Sequence, residues 1–119
     1  MTITFLTRLF RFLSRPARTK RYEILLPLTY NDGTPIEAEK FDQTAEELSD
    51  RFGGITQDTV RITGAWKYGS ARYRDDLLRI RIDTNDPQAR VFFRAQKDVW
   101  KARFQQIDIW IVAYEIEII

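Results

Sequence analysis

Histidine and cysteine are both absent from the 119 residues, and methionine occurs once. Without histidine the chain lacks the commonest general base and the preferred ligand of zinc and copper. Without cysteine it has no disulfide framework, no thiol nucleophile and no thiolate metal site. Catalysis would fall to carboxylates, lysine, arginine or tyrosine, so a non-catalytic domain is expected, with no metal centre and no cofactor. Glycine is scarce, with five residues. Two of them, Gly53-Gly54, are adjacent, but they follow a helical pattern and precede a strand pattern. Phosphate loops run the other way, into a helix N-terminus. Helix capping and chain reversal is therefore the expected role. Long apolar runs are missing as well. Residues 1 to 15 are broken by Arg8 and Arg11, which excludes a membrane span and makes a poor secretory signal. A cytoplasmic chain is expected, with peripheral membrane contact open to it.

The remaining composition is that of one globular domain, 44% apolar and 30% charged. Its charge is unevenly spread. Residues 1 to 22 hold Arg8, Arg11, Arg15, Arg18, Lys20 and Arg21 and no acid. The net charge of +2 thus divides into +6 there and −4 in the rest, where 13 bases meet 17 acids. A mildly acidic body argues against nucleic acid as the partner of the whole domain. The basic stretch, MTITFLTRLFRFLSR, places Phe5, Leu6, Leu9, Phe10 and Leu13 on one half of a helical wheel, and Arg8, Arg11 and Arg15 on the other. Pro16 ends that pattern. Such a helix can dock on an anionic membrane surface, dock on a protein partner, serve as a targeting segment, or pack on its own domain. Residues 1–20 read as this segment and its linker, and 21–119 as the domain.

Within the domain, Tyr22 to Leu28 alternates as a strand, and Asn31-Asp32-Gly33 signals a turn. Thr34-Pro35-Ile36-Glu37 has the form of a capping box for a helix to about Arg51, with Ala38, Phe41, Ala45, Leu48 and Phe52 inward. A second strand covers Ile55 to Trp66, with Val60 and Ile62 inward and a bulge at Gly64. Lys67 to Asp76 reads as a long loop, and Leu77 to Asp83 as a third strand. Asp86-Pro87 opens a helix to about Gln106 that buries Ala89, Phe92, Phe93, Val99, Trp100 and Phe104. Ile107 to Ile119 is the last strand, its even positions Trp110, Val112, Tyr114, Ile116 and Ile118 taken as the core face. The order β-α-β-β-α-β predicts a ferredoxin-like α+β fold, a four-stranded antiparallel sheet with both helices on one face.

The other sheet face is then open. Glu23, Leu25, Arg61, Thr63, Arg79, Arg81, Ile109, Ile111, Glu115 and Glu117 are expected on it. Stacking aromatics, which an RNA-binding sheet of this topology would carry, are missing from that set. Leu25, Arg79, Arg81, Ile109 and Ile111 instead suit pairing with a second copy across a two-fold axis, giving a dimer, or cover by residues 1 to 13 of the same chain, with a solvated face of cross-strand Arg-Glu pairs as the plain alternative.

Trp66 to Asp76 interleaves bases and aromatics, and Trp66, Tyr68, Arg72 and Tyr73, with Arg103 at the end of the second helix, are the candidate ligand residues. The carboxylates of Asp75 and Asp76 point to opposite faces of a strand and do not converge on a metal. Phe52-Gly53-Gly54-Ile55-Thr56, Gly64-Ala65-Trp66 and Trp100-Lys101-Ala102-Arg103-Phe104-Gln105-Gln106 resemble the F-x-G-x-T, G-x-W and K-x-R-F-x-Q pattern of a family of small bacterial domains. The resemblance spans about residues 22 to 112 and implies a ferredoxin-like fold, without implying a reaction. Together these readings favour a small binding or interaction domain that self-associates. A histidine-free enzyme with a pocket near the second hairpin, and nucleic-acid binding through the basic segment and hairpin loop, are the alternatives.

Overall fold

The structure is a computed structural model that describes residues 18–65 and 72–119, the side chains of residues 64, 65 and 72–74 excepted. The elements are β1 (Lys20–Pro27), α1 (Ala38–Phe52), β2 (Thr56–Ala65), β3 (Arg72–Thr84), α2 (Ala89–Arg103) and β4 (Trp110–Glu115). The four strands form one antiparallel sheet in the order β2-β3-β1-β4. Alternation in β1 decides which face the helices take: Tyr22, Ile24 and Leu26 are buried, whereas Glu23 and Leu25 point the other way. Ile80 and Ile82 lie directly opposite Ile24 and Tyr22 and are buried with them. Both helices cover this face. α1 contributes Leu48 and Thr44, α2 contributes Ala89, Phe93 and Trp100, and Phe104 follows at its end. Tyr22 stacks on Phe93 at 4.4 Å between ring centroids, and Phe93 lies in turn against Phe52 and Trp100. The β-α-β-β-α-β order and the α+β ferredoxin-like class expected from the sequence are both present.

Local chemistry sets the boundaries, and several differ from the sequence reading. Gly53 closes α1 at φ 84, the left-handed conformation that Gly takes without a Cβ penalty. The start of α1 is later than the Thr34 capping box implies. The Asp32 carboxylate accepts hydrogen bonds from the Thr34 N–H at 2.9 Å and the Thr34 hydroxyl at 2.7 Å, which holds a turn. Pro35 then bridges to Thr29, so the helix waits until Ala38. Asp86 accepts the Gln88 N–H at 2.8 Å and so holds a turn ahead of α2, which starts at Ala89 and not at Pro87 as expected, and α2 ends before Gln105, whose φ of 52 is left-handed. Val99, expected in the core, is 45% exposed.

The second hairpin is longer than expected. β3 starts at Arg72 rather than Leu77, and its register with β2 runs unbroken from Thr56↔Arg81 to Ala65↔Arg72. Gly64 therefore makes no bulge. β1 pairs with β3 only over Leu77–Thr84, so the distal part of the hairpin stands beyond the four-stranded region.

The last strand is inverted relative to its expected parity. Ile109 is 1% exposed in the core and Ile111 packs against that core, whereas Trp110 and Tyr114 are 62% and 44% exposed. Ile109 and Ile111 thus lie on the helix-covered side and not on the open face expected of them, and Trp110, Val112 and Tyr114 lie on the open face. Both phases of this strand are apolar, so periodicity had no basis for choosing between them. Packing chose: Ala113 lies across from Tyr22, where a small residue suits the ring stacked on Phe93. The same inversion applies to β2, where Val60 and Ile62 lie opposite Leu77 and Asp75 and share the open face. Arg61 and Thr63, placed there by the sequence reading, lie on the other side, and Arg61 pairs with Asp76 at 3.0 Å.

Candidate functional site

The open face of the sheet is built in cross-strand rows. Trp110, Leu25, Arg79 and Asp58 lie side by side from β4 to β2, and Val112, Glu23, Arg81 and Thr56 form the next row. Tyr114, Arg21 and Asp83 form a third. Six charged groups on this face are matched within it, and Asp75, opposite Ile62, is exposed on it as well. Arg79 forks onto Asp58 at 3.0 and 2.7 Å, and Arg21 onto Asp83 at 2.8 and 3.0 Å. Glu23 accepts from Arg81 at 3.2 Å and from the Tyr114 hydroxyl at 2.8 Å. The guanidinium partners hold the carboxyls of Asp58 and Asp83 below the usual carboxylate range. Beside these pairs and Asp75, most of what remains at the surface is apolar: Trp110 and Tyr114, with Leu25, Val112, Leu77, Val60 and Ile62 on the same face.

The structure separates the residues that sequence reasoning had grouped as ligand-binding. Arg103 has a structural task between the helices. Its guanidinium donates to Glu47 at 2.5 and 3.0 Å and to the buried Thr44 hydroxyl at 2.7 Å. The Trp100 indole N–H also donates to Glu47, at 3.3 Å. With only 10% of its side chain exposed, Arg103 is fully engaged and unavailable as a pocket wall. The Arg103 fork, ahead of the indole hydrogen bond, holds the Glu47 carboxyl below its ordinary value. Trp66 and Tyr68 lie outside the described residues, as do the docking candidates Phe5, Leu6, Arg8, Leu9, Phe10, Arg11, Leu13 and Arg15. Arg72 and Tyr73 open β3 opposite Ala65 and Gly64.

Leu25, Arg79 and Arg81 share the open face. Sequence reasoning missed Trp110, Val112 and Tyr114 there. A signal was present, because a strand apolar in both phases is the pattern of one covered on both sides. Among the described residues, no three His, Cys, Asp or Glu side chains come together to hold a metal ion. No described helix is long and apolar enough to cross a membrane.

These features define a ferredoxin-like α+β domain with one largely apolar sheet face crossed by ion pairs. Solved structures similar to it include the following two. One is a phage SAM lyase in complex with S-methyl-5'-thioadenosine, 12% identical, with a TM-score of 0.62 over 83% of this chain and 82% of that one. The other is CutA from Synechococcus elongatus, 9% identical, with a TM-score of 0.56 over 84% of this chain and 78% of that one. At these identities the likeness is one of fold alone. No protein-family model and no curated protein matches the chain.

Proposed function

We propose that the chain is a small interaction domain that self-associates through the open face of its sheet. The observation that carries this reading is Trp110, 62% exposed at the edge of an apolar surface whose neighbouring charges are already paired. Paired guanidinium and carboxylate groups lose less on leaving water than free ones. An indole exposed in this setting gains from burial against a second copy. The two-phase apolar pattern of β4 supports the same reading. A reaction centred on Arg103 is not supported, since that group is committed to Glu47 and Thr44.

The basic segment retains its sequence-based role as a docking helix for an anionic membrane surface or a protein partner. Sedimentation of full-length protein with anionic and neutral vesicles separates these two, because only the first requires anionic lipid.

Self-association is tested by Trp110→Glu. Analytical ultracentrifugation should find the native chain as a defined oligomer at about 50 μM and the variant as a monomer with an unchanged circular dichroism spectrum, a charge at an apolar contact costing several kcal/mol. A native chain that stays monomeric at that concentration would refute the proposal.

A further inference from the structure

We propose that the groove between α2 and the outer edge of β4 binds a small, multiply charged phosphorylated ligand of about nucleotide size. The argument begins with the arginines. Nine arginines have described side chains, and seven of these pair with carboxylates: Arg18, Arg21, Arg51, Arg61, Arg79, Arg81 and Arg103. The two without an ion pair among the described residues, Arg90 and Arg94, stand together four positions apart on α2 and line one groove. Like charges at that spacing repel one another, and an anion seated between them relieves the repulsion.

The groove has the volume and the donors for such a ligand. It measures about 470 Å³, within the range of about 300–1,000 Å³ usual for small-molecule sites. Lys20 lines it from the start of β1, and Lys97 from the next turn of α2. Acids around these groups are already paired: Asp86 with Arg51, Glu115 with Arg18 at 2.9 Å, and Asp108 with Lys97 at 3.0 Å, which leaves Lys20, Arg90 and Arg94 as the cations of the groove without an ion pair among the described residues. The groove is therefore strongly cationic in a body whose residues beyond 22 carry a net negative charge. Two planar guanidinium forks favour phosphate, whose oxygens accept bidentate hydrogen bonds. β4 is the edge of the sheet, so its outer N–H and C=O groups face the groove and can hydrogen-bond the rest of the ligand. Ile111 gives that part an apolar floor.

The test is a calorimetric titration of the full-length protein with pyrophosphate and with ATP, accompanied by amide chemical-shift mapping. Binding should be measurable, with shifts at Arg90 to Lys97 and Ile111 to Glu115. The double variant Arg90→Ala/Arg94→Ala removes exposed side chains and should weaken binding by about tenfold or more, the loss of two charge-assisted contacts. Arg8→Ala/Arg11→Ala, which removes equal charge from the basic segment, should leave the affinity unchanged. The proposal is overturned by no binding of either ligand up to about 5 mM. It is equally overturned by unchanged affinity in the Arg90/Arg94 variant, by equal loss in the Arg8/Arg11 variant, by shifts confined to other residues, or by tighter binding of a glutamate-rich peptide than of pyrophosphate.

Discussion

Arg103 ties the two helices together through a carboxylate, a buried hydroxyl and, by way of Glu47, the Trp100 indole. Replacing it with leucine leaves Thr44 without this donor and Glu47 with only the Trp100 indole N–H of the donors named above. Glu47 is about one-third exposed and recovers part of its hydration, so the expected loss is about 2 kcal/mol rather than the larger cost of a fully buried break. Urea denaturation measures it. The same contact makes stability depend on pH. The Glu47 carboxyl is held below its ordinary 4.5 in the folded chain, so the unfolded chain takes up a proton first as pH falls. The stabilisation from Arg103 is complete above about pH 4.5 and declines as pH falls through the folded value. In Glu47→Gln this part of the acid limb should flatten, as read from melting temperatures between pH 3 and 6 (roughly the span over which a carboxyl of this type titrates). Arg103 was legible in the sequence as a cation at a helix end, but not as a strut, because its partner lies 56 residues away on another helix.

Among the elements, helix ends and strand parities behaved differently. The end of α1 could be read from Gly53 alone, since a left-handed residue there calls for glycine. Gly53→Ala should cost about 1 kcal/mol from backbone strain alone, because a Cβ at that position meets nothing within 4 Å. Gly54→Ala, equally uncrowded and without a positive φ, should stay within about 0.5 kcal/mol of the parent. Thermal melts of the two variants make this comparison. Thr34-Pro35 misled because Asp32 competes for the Thr34 N–H and hydroxyl, so a turn forms where a cap was expected. In β4 and β2 the alternation was correct and the side was not. One residue of phase exchanges the two faces of a strand, and Ile109 and Trp110 are both apolar enough to sit in a core.

For the molecule as a whole, the sheet has an uneven outline. β1 ends its pairing with β3 at Pro27↔Leu77, while β2 and β3 continue together to Ala65↔Arg72. The distal hairpin has one hydrogen-bonded neighbour per strand and lacks the Leu26–Ile80 core beneath it. Hydrogen exchange should therefore be faster at Thr63 to Ala65 and Arg72 to Asp76 than at Ile80 to Thr84, which lie against β1. Uniform protection along β3 would show that the distal hairpin is covered by something beyond the described residues, a second copy or the basic segment. The two proposed surfaces meet at β4, where Val112 and Tyr114 belong to the open face and also line the groove. The open face of the sheet carries Trp110, and its β4 edge meets Arg90 and Arg94.

By itself the sequence determined the order of elements, the single antiparallel sheet, the ferredoxin-like class and the uneven spread of charge between residues 1 to 22 and the rest. Those follow from local periodicity, turn chemistry and composition, which act over a few residues at a time. Tertiary structure alone decided which face of β2 and β4 is buried, that Arg103 is spent between helices, and that Arg90 and Arg94 share a groove with Lys20. Each of these depends on the partner that folding brings alongside, and neither a strand with two apolar phases nor an arginine with several acids in reach specifies that partner locally.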